Sequence, residues 1–417
     1  MKKAIEHFYN TSNSTSYECI TNHIHFCEEY TMPIAIWALS IGAFAICTSE
    51  FVIMGLLQEV AKDLNISISQ SGFLVTGYAL GVVLGAPFLT PFLVGLKRKA
   101  VLIGLMLLFT IGNVACALAP DYDMMLLARV FTALAQAAFF GLGAVVATRL
   151  VEPDKQASAI ASMFLGATLA NILGAPLGTF IGQEIGWRNS FYIIAALGIL
   201  SALSISKLLP NIETETPTNL KQEFAALIQP GMVRALLITI FGFGGTFTAF
   251  TYISPILTDI TGMSLDYVPA MLLLFGVGMA VGNPIGARLT NNSVILGMRS
   301  TLFILMAMLI ALYFAMESSV AMIAVTFLFG AAMFATIPSL QTYVLSEAGK
   351  APILASAFNI AAFNLGNAGG AWLGGEVIDS GLSLQMLPLV AAAVTGLGLL
   401  LALSARSKRE NAELATA

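Results

Sequence analysis

Two side chains carry charge well inside otherwise apolar stretches of this sequence: Glu50, within residues 34–57, and Arg129, within residues 124–147. A charge near the centre of a bilayer helix costs about 2.5–3.5 kcal/mol on insertion scales, so such residues face a bundle interior or a wet cavity. The chemistry this pair suits is the uptake and release of a proton. Glu50 lies seven residues before the outer end of its stretch, and Arg129 five residues after the outer start of its own. At 1.5 Å per residue both sit roughly 8–10 Å below the same surface. A contact between the two helices lets Arg129 neutralise Glu50. Burial and the neighbouring cation then act on the carboxyl in opposite senses, so that opening to either side or the arrival of a solute tips its protonation. The other reading of the pair is a static tie between two helices.

No catalytic grouping stands beside them. All three histidines fall in the first 31 residues, where Cys19, His23, His25 and Cys27 have metal-capable ligand types but none of the usual zinc spacings. The chain has no Gly-x-x-x-x-Gly-Lys-Ser/Thr phosphate loop and no Gly-x-Ser-x-Gly nucleophile elbow. We therefore expect no enzyme, no metal, no cofactor and no nucleotide-driven pump. With a net charge of −4 and no cluster of Lys and Arg interleaved with aromatics, nucleic acid is not expected as a partner.

The elements that position Glu50 and Arg129 follow from composition. Of 417 residues, 58% are hydrophobic and 10% charged, against about 25% charged in a soluble domain. Stretches of roughly 20 apolar residues cross a bilayer. They occur at 34–57, 71–93, 100–119, 124–147, 157–181, 189–206, 235–257, 268–287, 298–316, 318–343, 352–375 and 384–405, twelve in all. The expected fold is an all-α integral membrane protein of two six-helix bundles. The loops after even-numbered spans, the start of span 9 at Arg299 and the C-terminal tail hold fourteen Lys and Arg, among them Lys97, Arg98, Lys99, Arg149 and Arg288, whereas the opposite loops hold only Lys62 and Arg188. By the positive-inside rule both termini are cytoplasmic. The organisation expected is a polar leader at 1–31, bundles at 32–206 and 235–405, a cytoplasmic linker at 207–234 and a tail at 406–417. A start at Met32 would omit the leader without touching a span.

The two bundles repeat one another. Gly81, Gly85 and Pro87 of span 2 match Gly278, Gly282 and Pro284 of span 8, and Gly174, Gly178 and Glu184 of span 5 match Gly366, Gly370 and Glu376 of span 11. Such a parallel repeat implies a pseudo-twofold axis along the membrane normal with a site between the halves. Small residues at these positions serve helix packing.

The chain resembles the major facilitator superfamily and, within it, the twelve-helix drug:proton antiporters, nearest to the AraJ-like sugar-efflux branch. The resemblance rests on Thr48-Ser49-Glu50-Phe51-Val52, on Arg129 with Gln136 and Gly141, and on Gly174-Ala175-Pro176-Leu177-Gly178 followed by Gly186-Trp187-Arg188. It departs from the family between spans 2 and 3, where Leu93 and Val94 fall near the usual acid and base and only Lys97, Arg98 and Lys99 remain. The resemblance implies that Glu50 and Arg129 line a central cavity and couple protons to transport. Substrate-facing candidates are Tyr78, Gln136, Asn171, Phe247, Tyr252, Asn359, Asn364 and Asn367, the last three presenting amides along one side of span 11. For any single one, interhelical hydrogen bonding is the alternative. The expected function is proton-coupled efflux of a small organic solute, a sugar or a drug-like compound, by a monomer in the cytoplasmic membrane. Uptake by symport or facilitation, and a non-transporting sensor, are the alternatives.

Overall fold

The computed structural model describes residues 32–93, 96–211, 229–349 and 352–405. The leader with its Cys-His cluster, most of the expected linker and the tail lie outside the described residues. Among the described residues, twelve long helices account for the fold. They are α1 (Ile34–Gly55), α2 (Ile68–Leu93), α3 (Arg98–Leu118), α4 (Tyr122–Arg149), α5 (Gln156–Leu169, a π-turn Ala170–Gly174, then Ala175–Ile185) and α6 (Trp187–Leu208) in the first half. In the second are α7 (Pro230–Phe250), α8 (Val268–Asn292), α9 (Val294–Ala315), α10 (Ser319–Glu347), α11 (Pro352–Asp379) and α12 (Leu387–Leu403). An even number of crossings returns the chain to the face on which it starts, called here the terminal face; the other is the distal face.

Local chemistry explains the ends and breaks. Ser67 and Gln70 cap α2 reciprocally, each side chain accepting from the other's backbone N–H at 3.1 Å. Asp121 caps α4 by accepting from Met124 N at 2.9 Å. Pro176 follows the π-turn of α5, where the widened winding tolerates a residue with no N–H. Span 7, expected to run to residue 257, stops at Phe250. It resumes as Ile253–Pro255 and a π-turn at Ile256–Ile260, because Pro255 cannot donate to the preceding turn. A short helix, Leu57–Asp63, continues α1 toward the distal face.

The repeat read from the glycines is a repeat of contacts. In the first half α1 packs on α5 and α6, α2 on α4, and α3 on α4 and α6; in the second, α7 packs on α11 and α12, α8 on α10, and α9 on α10 and α12. A Cβ on Gly81 or Gly85 would strike Ala133 or Ala137 of α4, and one on Gly278 or Gly282 would strike Phe327 O or Ala331 O of α10. Likewise Gly174 and Gly178 admit Thr48 and Val52 of α1, while Gly366 and Gly370 close on Gly244 of α7. Pro87 lies within α2 and Pro284 within α8.

The halves join through two related seams, α2 with α11 and α5 with α8. In the first, Ser69 Oγ donates to Asp379 Oδ2 at 2.7 Å and Thr76 Oγ1 to Ala368 O at 3.3 Å. In the second, Gly276 abuts the backbone of Asn171 and Ile172. Beyond the ends of α1 and α7, Gln58 Nε2 donates to Thr258 Oγ1 (2.9 Å) and Asp259 Oδ1 (3.2 Å), and Ser254 Oγ donates to Gln58 Oε1 (3.2 Å). All of these ties lie between mid-membrane and the distal face, so the structure is closed on that side.

Candidate functional site

Helices α1 to α4 bring a polar circuit together inside the first bundle. Arg129, fully buried on α4, donates through Nη1 to Ser49 O at 2.6 Å and through Nη2 to Glu50 O at 3.4 Å. Its guanidinium lies over the ring of Tyr78 on α2, with Cζ 4.1 Å from the ring centroid. The Tyr78 hydroxyl donates to Gln136 Oε1 at 2.6 Å, and Gln136 Nε2 donates to Glu50 Oε2 at 2.9 Å. From α3, Asn113 accepts from Ser49 Oγ at 2.8 Å and donates to Phe109 O at 2.9 Å, steadying α1 beside the carboxylate. Glu50 itself is buried, with 9% of its surface exposed.

The expected neutralising pair takes a different form. Among the described residues Glu50 makes no ion pair with Arg129, the ion pairs being Arg188–Asp63 and Lys155–Glu152. Arg129 spends its fork on the carbonyls of Ser49 and Glu50 and on the face of Tyr78, and the carboxylate takes its hydrogen bond from the Gln136 amide. A rigid fork of donors suits two neighbouring carbonyls on a helix flank as well as it suits a carboxylate. The cation therefore acts on Glu50 from beside the backbone, and neither carboxylate oxygen is paired with a charged group.

The second half lacks this circuit. The register that pairs Gly42 with Gly242 puts Phe250 opposite Glu50, and that pairing Gly81 with Gly278 puts Phe275 opposite Tyr78. The glycine contacts on α4 and α10 put Thr326 opposite Arg129 and Met333 opposite Gln136. Phe250 stacks on Phe275 with centroids 4.2 Å apart, and Phe329 closes on both. Phe51, beside Glu50, reaches across to Phe247 and Phe250 at 6.4 Å from each. Where the first half has a proton-capable circuit, the second has a wall of aromatic rings.

The remaining candidates separate. Phe247 belongs to that wall, with Phe243 and Phe363 behind it. Tyr252 sits in the α2–α11 seam: its hydroxyl donates to Ala371 O at 3.0 Å and its ring fills the space left by Gly72 and Gly374. Asn171 donates to Ala167 O at 3.0 Å within its own helix, and its backbone carbonyl faces Gly276 across the other seam. The three asparagines of α11 do not form one patch. Asn359 links α7 and α10, accepting from Thr239 Oγ1 at 2.8 Å and donating to Gln341 Oε1 at 2.7 Å. Asn364 donates to Ile360 O at 3.0 Å, which leaves its Oδ1, like that of Asn367, buried without a partner. Sequence reading missed Ser49 and Asn113, whose polarity is ordinary in a membrane helix, and Gln58, which falls past the end of its span.

A family model described as Major Facilitator Superfamily matches residues 39–368. The inner membrane transport protein YdhP of Escherichia coli (strain K12) is 46% identical over 374 residues, covering 89% of this chain and 96% of that protein. The putative transporter AraJ of the same organism is 35% identical, covering 87% and 92%. A chloramphenicol resistance protein of Streptomyces lividans is 32% identical, covering 81% and 88%.

Proposed function

The chain belongs to the Major Facilitator Superfamily, and on that premise we propose that this membrane transporter exports a small organic solute, a sugar or a drug-like compound, in exchange for protons. The observation that carries the proposal is the Glu50 carboxylate, buried between the helices of the first bundle and held by an amide rather than a guanidinium. A proton arriving on Glu50 turns an acceptor into a donor. Gln136 and Tyr78 each have both donor and acceptor capacity, so a turn of the Gln136 amide lets its Oε1 accept from protonated Glu50 and its Nε2 donate to the Tyr78 oxygen, which frees the Tyr78 hydroxyl proton for another acceptor. Arg129, anchored to the backbone on either side of Glu50, stays in place in both states.

The energy suffices. One proton entering across about 100 mV releases about 2.3 kcal/mol, and one pH unit adds about 1.4 kcal/mol. At 1.4 kcal/mol per tenfold, that supports a gradient of several hundredfold for a neutral solute. Export is favoured over uptake by the resistance named for the Streptomyces relative. The excess of Lys and Arg on the terminal face supports a cytoplasmic terminal face in the cytoplasmic membrane, which makes this distal-closed arrangement the one that loads solute from the cell. The division of labour follows from the broken symmetry: proton chemistry in the first half, and an aromatic wall with the unpartnered amide oxygens of Asn364 and Asn367 for the solute in the second.

The test is Glu50→Gln in proteoliposomes. Substrate exchange is retained and pH-driven accumulation is lost; undiminished proton-driven accumulation would overturn the assignment.

A further inference from the structure

A second carboxylate outside the membrane-spanning helices is built into the distal closure. Glu59, on the short helix Leu57–Asp63, lines a distal cavity of about 410 Å³ together with Lys62, Asp63, Gly182, Gln183 and Trp187. Both of its carboxylate oxygens are shielded from solvent and neither makes a hydrogen bond. Burial pushes the Glu59 carboxyl up from the usual carboxylate range, against weaker pulls from its own backbone N–H and the Gln183 amide, which approach without bonding geometry.

The charges around it are otherwise engaged or exposed to solvent. Asp63, on the same helix, is paired with Arg188 of α6 and accepts from Trp187 Nε1 at 3.1 Å. Lys62 and Glu184 are exposed. On the opposite half, Asp266 accepts from Ser264 Oγ and Asp259 is held by Gln58 and Thr258. The uncharged group left facing Glu59 from α5 is Gln183, and its amide crosses between the halves: Nε2 donates to Leu265 O at 3.3 Å.

We propose that Glu59 is a second proton-binding site, at the distal mouth of the transporter, which takes up a proton from the distal water as the two halves close there and releases it as they part. Gln183 is the link. An ionised Glu59 offers its amide a charge-assisted bond about twice as strong as a neutral one, in competition with the long bond to Leu265 O. Deprotonation draws the amide onto Glu59 and undoes one tie between the halves; protonation returns it to Leu265. The neighbouring tie through Gln58 sits on the adjacent residue, so both respond to movement of the same short helix. The sign follows from the competition for Gln183: a protonated Glu59 leaves the amide on Leu265 O, so the proton's contribution to distal closure is present at low pH and is lost as Glu59 ionises with rising pH. The place of Glu59 in transport rests on the proton-coupled reading above; the site itself does not.

The experiment uses the full chain in lipid nanodiscs without solute, with Cys19→Ser and Cys27→Ser, since Cys47 and Cys116 are buried. Infrared difference spectra across pH follow the carbonyl stretch of protonated carboxyls. Spin labels at the exposed positions Asp123→Cys and Glu317→Cys report the distal separation of the halves. A band titrating above the ordinary carboxylate range is expected to vanish in Glu59→Gln, persist in Glu50→Gln and return at a shifted frequency in Glu59→Asp. The label distance should lengthen by several Å through the same pH interval in the parent and stay short in Glu59→Gln. In Gln183→Leu the band should remain while the distance change shrinks. A spectrum unaltered by Glu59→Gln, or an unchanged pH response of the distance in that variant, would overturn the proposal. Proteoliposome accumulation by Glu50→Gln is a separate readout, so the failure of either reading leaves the other measurement intact.

Discussion

Gly276 offers a way to move the equilibrium between transporter states without touching a charged group. A Cβ added there would lie 2.3 Å from Asn171 O and 2.8 Å from Ile172 Cα, all backbone atoms that cannot swing aside. To reach ordinary contact at 3.4 Å, α5 and α8 must separate by roughly 1 Å at this point. Overpacking of this size costs about 1–3 kcal/mol. Because the contact joins the two halves, the cost falls on the distal-closed arrangement alone, and Gly276→Ala should shift the closed-to-open ratio about 5–150-fold toward open. The control is Gly282→Ala, whose Cβ would lie 1.9 Å from Ala331 O inside the second bundle. That cost is present in every state, so it should lower the thermal stability of the detergent-solubilised protein without altering the balance of states. Distances between spin labels at Asp123→Cys and Glu317→Cys read the balance directly. If Gly276→Ala shows the wild-type distance populations, or if Gly282→Ala is the variant that shifts them, the assignment of the seams is wrong.

Two further outcomes are expected. Arg129→Lys keeps the charge but supplies a point donor in place of a fork, so it cannot hold the carbonyls of both Ser49 and Glu50; at about 1.5–3 kcal/mol for a lost charged hydrogen bond, solute exchange per folded molecule should fall about tenfold or more. At the distal surface Arg188 holds the Asp63 carboxyl below the usual range, with Trp187 assisting. The stability this contributes is present at neutral pH and lost as pH falls through the lowered value. Arg188→Met should therefore flatten the acid limb of a melting-temperature profile, modestly and only at low salt because the pair is exposed.

Much of the architecture was legible in residue order. Glycines at Gly81 and Gly85 and again at Gly278 and Gly282 announce close helix pairs, and the structure puts them at α2–α4 and α8–α10. A glycine specifies a contact through the absence of a side chain, and that absence is visible without coordinates. The charge asymmetry of the repeat was equally visible, since Glu50 and Arg129 have no charged counterparts in the second half. Span ends were less so: the break after Phe250 depends on whether Pro255 ends the helix or kinks it, and neighbouring helices settle that.

The polar groups divide the same way. That Glu50 and Arg129 share a depth follows from helical rise alone, but the direction in which a guanidinium points does not. Ser49 O, Glu50 O and the Tyr78 ring are brought within its reach by three helices meeting, and only their meeting makes Gln136 the partner of the carboxylate. Tyr252 reads as a cavity aromatic until Gly72 and Gly374 are seen to hold it in a seam. The amino-acid order by itself determined the number of crossings, the halves and their repeat, because these depend on apolar run length and on local small residues. Tertiary structure decided who bonds to whom, because a hydrogen bond depends on ångström placement of groups far apart in the chain, which no pattern along one helix encodes.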